Sequence, residues 1–417
     1  MTRLCLSTLF AIVTAAVSLS ATPIVVRDSP VTLPIARRLN VTGAANILKV
    51  DQARAKVLKA RSQASKEGPA ADAGAGGGRG GGIPVTNAAT IYTANVGVGT
   101  PPTSYNLLID TGSSNTWVGA GKAYVNTSSS VNTGDQVAVI YGSGFFFGEE
   151  YSDTVTIGDL VIKDQGIGVA EFSSGFDGFD GILGLGPAGL TDGTTSSGGE
   201  VPTVVDNAFA QGWIRAKVVG VSFEPATGES VTNGELTFGG VDYRKVTSHI
   251  EFAPITSTSP ASGYVGIDQS ITYGWQGTTI LSFTAGITDT GTTLILIASD
   301  AFAAYQQATG AVVDDTTGLL KITAKQYANL ESLFFHIGDA TYEFTRNAQI
   351  WPRALNSAIG GDADSIYLVT ADLGSPSGRG LDFVDGYTFL ERFYYVYDSA
   401  NAHVGFANTA FTHATTN

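Results

Sequence analysis

From Ile83 onward the chain is built of short apolar runs, each closed by Gly, Asp or Asn. Thr90-Ile91-Tyr92, Gln136 to Tyr141, Asp153 to Ile157 and Glu235 to Phe238 are rich in β-branched and aromatic residues, which at this length predicts strands. Helical signals are few. Pro202 followed by Val204 to Phe209 opens one helix, Ser299 caps a second over Asp300 to Tyr305 that stops at Gly310, and a third starts near Thr323 and covers Lys325 to Leu330. The fold class is therefore all-β, with long antiparallel sheets and short helices at their margins.

The strand pattern starts late. Met1 to Ala21 holds Arg3, an apolar stretch from Leu4 to Leu19 and small residues at Ser18, Ser20 and Ala21, the pattern of a signal peptide over 1–21. The stretch is too short for the alternative, a membrane anchor. Residues 22–82 form a basic segment carrying Arg54, Lys56, Lys59, Arg61 and Lys66, and they end in the glycine tract Ala73 to Gly82. Such a tract is flexible and open to proteases.

Charge sharpens this division. Residues 1–82 hold 11 of the 23 Lys and Arg and 4 of the 37 Asp and Glu, so residues 83–417 keep 12 bases against 33 acids, a net of −21. Nucleic acid and anionic membranes are poor partners for such a body, and acid surroundings suit it, although plain extracellular solubility explains the composition equally well. The contrast predicts a removable basic pro-segment on an acidic body; the alternative is a tail without a role. Cys5, the single cysteine, lies in the signal, so the secreted product has no disulfide.

Two acidic residues break the apolar pattern in the same way. Asp110-Thr111-Gly112-Ser113 follows the run Asn106 to Ile109, and Asp289-Thr290-Gly291-Thr292 repeats it 179 positions later as the second of only two Asp-Thr-Gly triplets. One copy is ordinary turn chemistry. Two copies, one in each half of a β-rich chain, point to a site at the junction of two similar lobes. Two unit charges about 3 Å apart repel by roughly 5 kcal/mol at an effective dielectric near 20, or about four pKa units. Such a pair holds one shared proton in acid, so one carboxylate acts as base and the other as acid. Gly112 and Gly291 allow close backbone approach, Ser113 and Thr292 can donate to the outer carboxylate oxygens, and Thr111 and Thr290 can bond across to the opposite turn.

These motifs resemble those of pepsin-like aspartic endopeptidases, over essentially all of the chain after residue 83. Asp110 to Trp117 and Asp289 to Thr293 look like the two active-site loops, Val139 to Gly144 like the flap, Phe179 to Gly184 like the loop under the first turn, and Phe393 to Phe406 like the closing strands. The resemblance implies a bilobal fold with pseudo-two-fold symmetry, lobes at 83–265 and 266–417, and Asp110 and Asp289 as catalytic residues that share a proton. It implies a Tyr141 phenol bonded to the Trp117 indole, and Gly142 and Ser143 bonded to substrate backbone. Asp289 would be the ionised partner and Asp110 the protonated one.

Two positions depart from the family pattern. Phe383-Val384-Asp385-Gly386 has a carboxylate where an apolar residue is expected, read as a locally hydrogen-bonded variation, with a functional third carboxylate as the alternative. Ser143 stands where some fungal relatives carry Asp, so large apolar side chains beside the cut are expected to be preferred over basic ones.

Other chemistries fit less well. The four histidines are scattered without HExxH, no G-x-S-x-G is present, and a glycosidase pair stands at least ~5 Å apart. The rival is a catalytically inactive binding or inhibitor protein on the same fold. The sequence is read as a secreted acid endopeptidase made as a zymogen, extracellular with the vacuole as alternative, monomeric, using no cofactor or metal, and inhibited by its own pro-segment. Asn126-Thr127-Ser128 is a glycosylation candidate.

Overall fold

The computed structural model describes residues 30–39, 47–64, 90–142, 144–225, 228 and 230–417. The expectations for the signal peptide, the glycine tract, a chain start near residue 83 and the Ser143 side chain lie outside the described residues.

Strands dominate, in a sheet of thirteen, one of seven and one of three among the described residues. In the larger sheet Thr90–Val98 pairs with Thr103–Asp110, which runs parallel to Gly181–Gly184 with Asp110 opposite Gly184. In the seven-stranded sheet the same device recurs: Thr278–Thr288 runs parallel to Phe383–Asp385, with Thr288 opposite Asp385. Each acidic turn thus leaves the end of a buried strand braced by a parallel neighbour. Alternation along the first strand turns Tyr105, Leu107 and Ile109 inward, and they share one hydrophobic core with Ile287, Leu294 and Ile295, all inaccessible to solvent.

The helix ends show which local signals carried. Thr203 and Thr323 are N-caps with reciprocal capping boxes to Asp206 and Gln326, so Val204–Ala210 is opened by Thr203 rather than by Pro202, and Ala324–Ala328 begins at the expected Thr323. The last ends at Ala328, two residues short of the expected Leu330. Ser299 is not a cap. It is the first helical residue of Ser299–Thr309, and its hydroxyl donates to Asp372 Oδ1 at 2.7 Å instead. Gly310 follows in the left-handed conformation that stops a helix.

Two pieces of the basic N-terminal segment, residues 30–39 and 47–64, lie among the described residues. Val31–Leu39 is an interior strand, paired on one side with Ser230–Phe238 and on the other with Thr90–Val98. Arg37 is buried with it, 3.5 Å from Glu391 and over the Tyr387 ring. Ile47–Ala64 is an eighteen-residue helix that no sequence signal predicted. Its inward stripe is Ile47, Val50, Asp51, Arg54, Ala55 and Leu58, correctly spaced for a helix but interrupted by two charges.

Candidate active site

The two Asp-Thr-Gly turns meet, and their hydrogen bonds repeat with near two-fold symmetry. Gly112 N–H donates to Asp110 Oδ1 at 2.9 Å and Gly291 N–H to Asp289 Oδ1 at 3.0 Å. Ser113 Oγ donates to Asp110 Oδ2 at 2.5 Å and Thr292 Oγ1 to Asp289 Oδ2 at 2.6 Å. Across the junction Thr111 N–H donates to Thr290 Oγ1 at 3.0 Å, and Thr290 N–H donates to Thr111 Oγ1 at 3.1 Å. These reciprocal bonds tie the two strand ends together, so the carboxylates are aimed at each other by backbone rather than by flexible side chains. A Cβ on Gly112 would lie 2.7 Å from Asp289 Oδ1, and one on Gly291 2.7 Å from Asp110 Oδ1, which leaves room for glycine only.

The pair is covered by the N-terminal helix. Arg54 Nη2 bonds Asp110 Oδ1 at 2.5 Å and Asp289 Oδ1 at 2.9 Å, while its Nε bonds Asp289 Oδ2 at 2.6 Å. One guanidinium therefore spans both carboxylates, with all three groups buried. Further contacts fix the helix to both sides of the cleft. Arg61 donates to Leu190 O at 2.5 Å, Tyr264 to Leu58 O at 2.7 Å and Gln52 to Asp372 O at 2.7 Å; Lys59 bonds Ser375 Oγ. Asp51 accepts from Leu294 N–H at 2.8 Å and Thr293 N–H at 3.3 Å, just past the second turn. Sequence reading counted Arg54 among several bases and missed Asp51. The available signal was their three-residue spacing, which places an acid and a base on one helix face.

The carboxylates are electrostatically unequal. Burial pushes Asp110 above the usual range, opposed by Arg54 and reinforced by the neighbouring Asp289. Burial acts on Asp289 in the same sense, but Arg54, which makes two bonds to it, wins and holds it below the usual range. Burial raises Asp51 to about 7, against the pull of two backbone N–H groups.

Val131–Ile140 and Phe145–Ile157 form an antiparallel hairpin whose tip carries Tyr141 and Gly142 over the turns. The helix passes so close that a Cβ on Gly142 would fall 1.8 Å from Arg54 Cα. Trp117 is buried and stacked on Phe146 at 4.3 Å, while Tyr141 meets Phe176 edge-on at 5.5 Å. The expected bond between Tyr141 and Trp117 is not formed in this arrangement. Their rings lie 6.4 Å apart, and the phenol oxygen and the indole nitrogen are both buried without a hydrogen-bond partner. Their closeness still lets the indole N–H favour the phenolate, a minor influence beside the burial that raises Tyr141.

Comparison with known proteins fits this geometry. The pattern of the family described as "Eukaryotic aspartyl protease" matches residues 91–409, which contain both turns and the hairpin. The chain belongs to that family. Polyporopepsin of Irpex lacteus is 62% identical over 339 residues, covering 81% of this chain and 99% of that protein. Human gastricsin is 30% identical over 336 residues, covering 76% and 81%. The crystal structure of an aspartic proteinase from Irpex lacteus superposes with a TM-score of 0.77 at 64% identity, covering 78% of this chain and 96% of that one. This aspartyl protease is accordingly an aspartic-type endopeptidase of pepsin-like fold, with protein as its class of substrate.

Proposed function

We propose that this aspartyl protease is a secreted acid endopeptidase, made as a zymogen, in which Asp110 and Asp289 activate a water. The observation that carries the reading is the Arg54 guanidinium bonded to both carboxylates from a segment outside the family-matched region. A cation filling that position blocks the place where the water and the scissile carbonyl would sit, and it satisfies the charge that substrate binding leaves exposed.

Once the helix leaves, Asp289 takes a proton from the water as its oxygen attacks the carbonyl carbon, and Asp110 gives its proton to the carbonyl oxygen. The tetrahedral diol then returns a hydroxyl proton to Asp110. Asp289 passes its proton to the leaving nitrogen, and the C–N bond breaks with both carboxyls restored. This division of roles rests on the likeness to the family; the opposite pKa directions of the pair belong to the docked state, where Arg54 makes two bonds to Asp289. Gly112, Gly291, Ser113 and Thr292 hold the carboxylates, Thr111 and Thr290 hold the turns together, and Trp117 supports the hairpin. Tyr141, Gly142 and Ser143 cover the substrate strand, whose backbone the hairpin edge reads.

Acid release acts through the contacts of Arg54, above all those to Asp289. Asp289 is depressed in the docked state, so it stabilises docking above its ordinary pKa and loses that contribution as the pH falls through the depressed value. Arg54 pulls Asp110 in the same direction against its burial, whereas Asp51, on the helix itself, is raised by burial and acts in the opposite sense, taking up a proton while the helix stays docked. Acid therefore frees the helix through the Arg54–Asp289 contact, and neutralising every carboxylate alike is not needed.

Secretion rests on the signal-like sequence; no helix among the described residues is long and apolar enough to cross a membrane. Asn126 is exposed, as glycosylation requires. An Asn126→Gln chain from a eukaryotic secretory host is expected to lose the mass of one glycan, measured on the intact protein; an unchanged glycan mass would remove that assignment. With Ser143 and not Asp on the hairpin, a peptide panel is expected to show faster cleavage beside Phe or Leu than beside Lys. Equal or faster cleavage after Lys overturns the preference. The reading as a whole is tested by acid proteolysis with and without a statine-type transition-state analogue, which should abolish it. No acid proteolysis after removal of the pro-segment would favour the inactive relative.

A further inference from the structure

Asp385 has so far only a place in the fold. Its strand lies between Thr278–Thr288 and Ile295–Ile297, and its side chain is fully buried. The corresponding position of the first lobe, opposite Ile109, is the apolar Leu183. Asp385 meets one polar side chain, Gln269 of the strand Gly266–Tyr273, which is also fully buried and whose Nε2 donates to Asp385 Oδ1 at 3.3 Å. Each side chain keeps one oxygen with no partner, Asp385 Oδ2 and Gln269 Oε1. Two acceptors left dry in a protein interior are costly, and a charged one more so.

One proton removes both deficits. On Asp385 Oδ2 it converts an acceptor into a donor, and Gln269 Oε1 is the acceptor left open. We propose that Asp385 is a neutral carboxylic acid at acid and neutral pH, paired with Gln269 as acid to amide, and that it is a positioning residue for the Asp289 turn. The link is the backbone: Asp289 N–H donates to Asp385 O at 3.1 Å, and two residues on Tyr387 N–H donates to Thr292 O at 2.8 Å. Ionised, Asp385 would place an uncompensated charge in the strand that holds Asp289.

The electrostatics agree. Burial raises Asp385 to about 8, opposed only by the Gln269 amide, and no charged group contributes. The titratable neighbours are Asp289 itself, through the backbone, and Tyr395, whose phenol is engaged with Thr288 Oγ1 at 2.9 Å beside Asp385 in the sheet. A pKa raised on folding contributes stability that is full in acid and lost as the pH rises through about 8.

The proton does not depend on the catalytic roles proposed above; only its consequence for Asp289 does. The test is therefore made on the intact chain without an activity assay. Asn at 385 can make both bonds to Gln269 with no proton. In infrared difference spectra at neutral pH, Asp385→Asn is expected to remove a protonated-carboxyl C=O band, and the Tm difference from the wild type should shift in the variant's favour as the pH rises from the ordinary carboxylate range to about 8 and level off above it. Loss of carboxylate bands instead, or a Tm difference independent of pH, overturns the proposal. Should the variant not fold, wild-type chain labelled with ¹³C at its aspartyl carboxyls decides: no aspartyl carbon protonated at neutral pH overturns it.

Discussion

An Asp289→Asn chain, with its pro-segment removed in trans by wild-type enzyme, is expected to lose peptide cleavage throughout the acid range, by roughly 10²–10⁴-fold for the general base alone. With its oxygen in the place of Oδ1 the amide still accepts from Gly291 N–H, and its nitrogen in the place of Oδ2 can donate to Thr292 Oγ1, so the turn should hold its shape. It cannot take a proton from water. The neighbour changes as well: burial raises Asp110 and the Asp289 charge raises it further, so removing that charge lets Asp110 ionise at lower pH and lose its role as acid. Initial rates on a fluorogenic peptide across acid pH measure this. Full retention of activity would end the two-carboxylate mechanism.

Arg54→Met is expected to turn the latent chain into one that activates without strong acid. Removing one partner of a buried ion pair costs about 3–5 kcal/mol, which shifts the balance between docked and released helix by roughly 10²- to 5 × 10³-fold. Arg54 joins three carboxylate oxygens at 2.5 to 2.9 Å in a buried site, so the upper part of that range is expected. Arg54→Lys keeps the charge but has no planar fork, and it should fall between the two. The measurement is the pH at which peptide cleavage and a new N-terminus first appear. If Arg54→Met stays as latent as the wild type, the helix is not held by this contact and the zymogen reading fails. Activation must also displace an interior strand, Val31–Leu39, together with the buried Arg37–Glu391 pair. Freeing the helix therefore does not by itself complete the proposed activation.

Much of this was legible in the chain. Asp110 and Asp289 were marked by repetition, because a buried carboxylate after an apolar strand is expensive and a second one in the same setting is not an accident of turn chemistry. Thr203 and Thr323 set helix starts through bonds within four residues, which sequence records directly. Ser299 did not, because a distant acceptor, Asp372, took its hydroxyl. The Tyr141–Trp117 bond implied by family likeness is absent while Arg54 lies under the hairpin tip.

The sequence by itself determined the all-β class, the paired turns, the contrast between a basic leader and an acidic body, and the odd carboxylate at 385, since each is a local pattern or a count. Only the tertiary structure decided which base meets the two carboxylates, why Asp51 points inward, and what faces Asp385. Those answers depend on contacts between residues 56 to 242 positions apart. A buried charge follows whichever partner the fold brings within about 3 Å, and spacing along the chain carries no record of that distance.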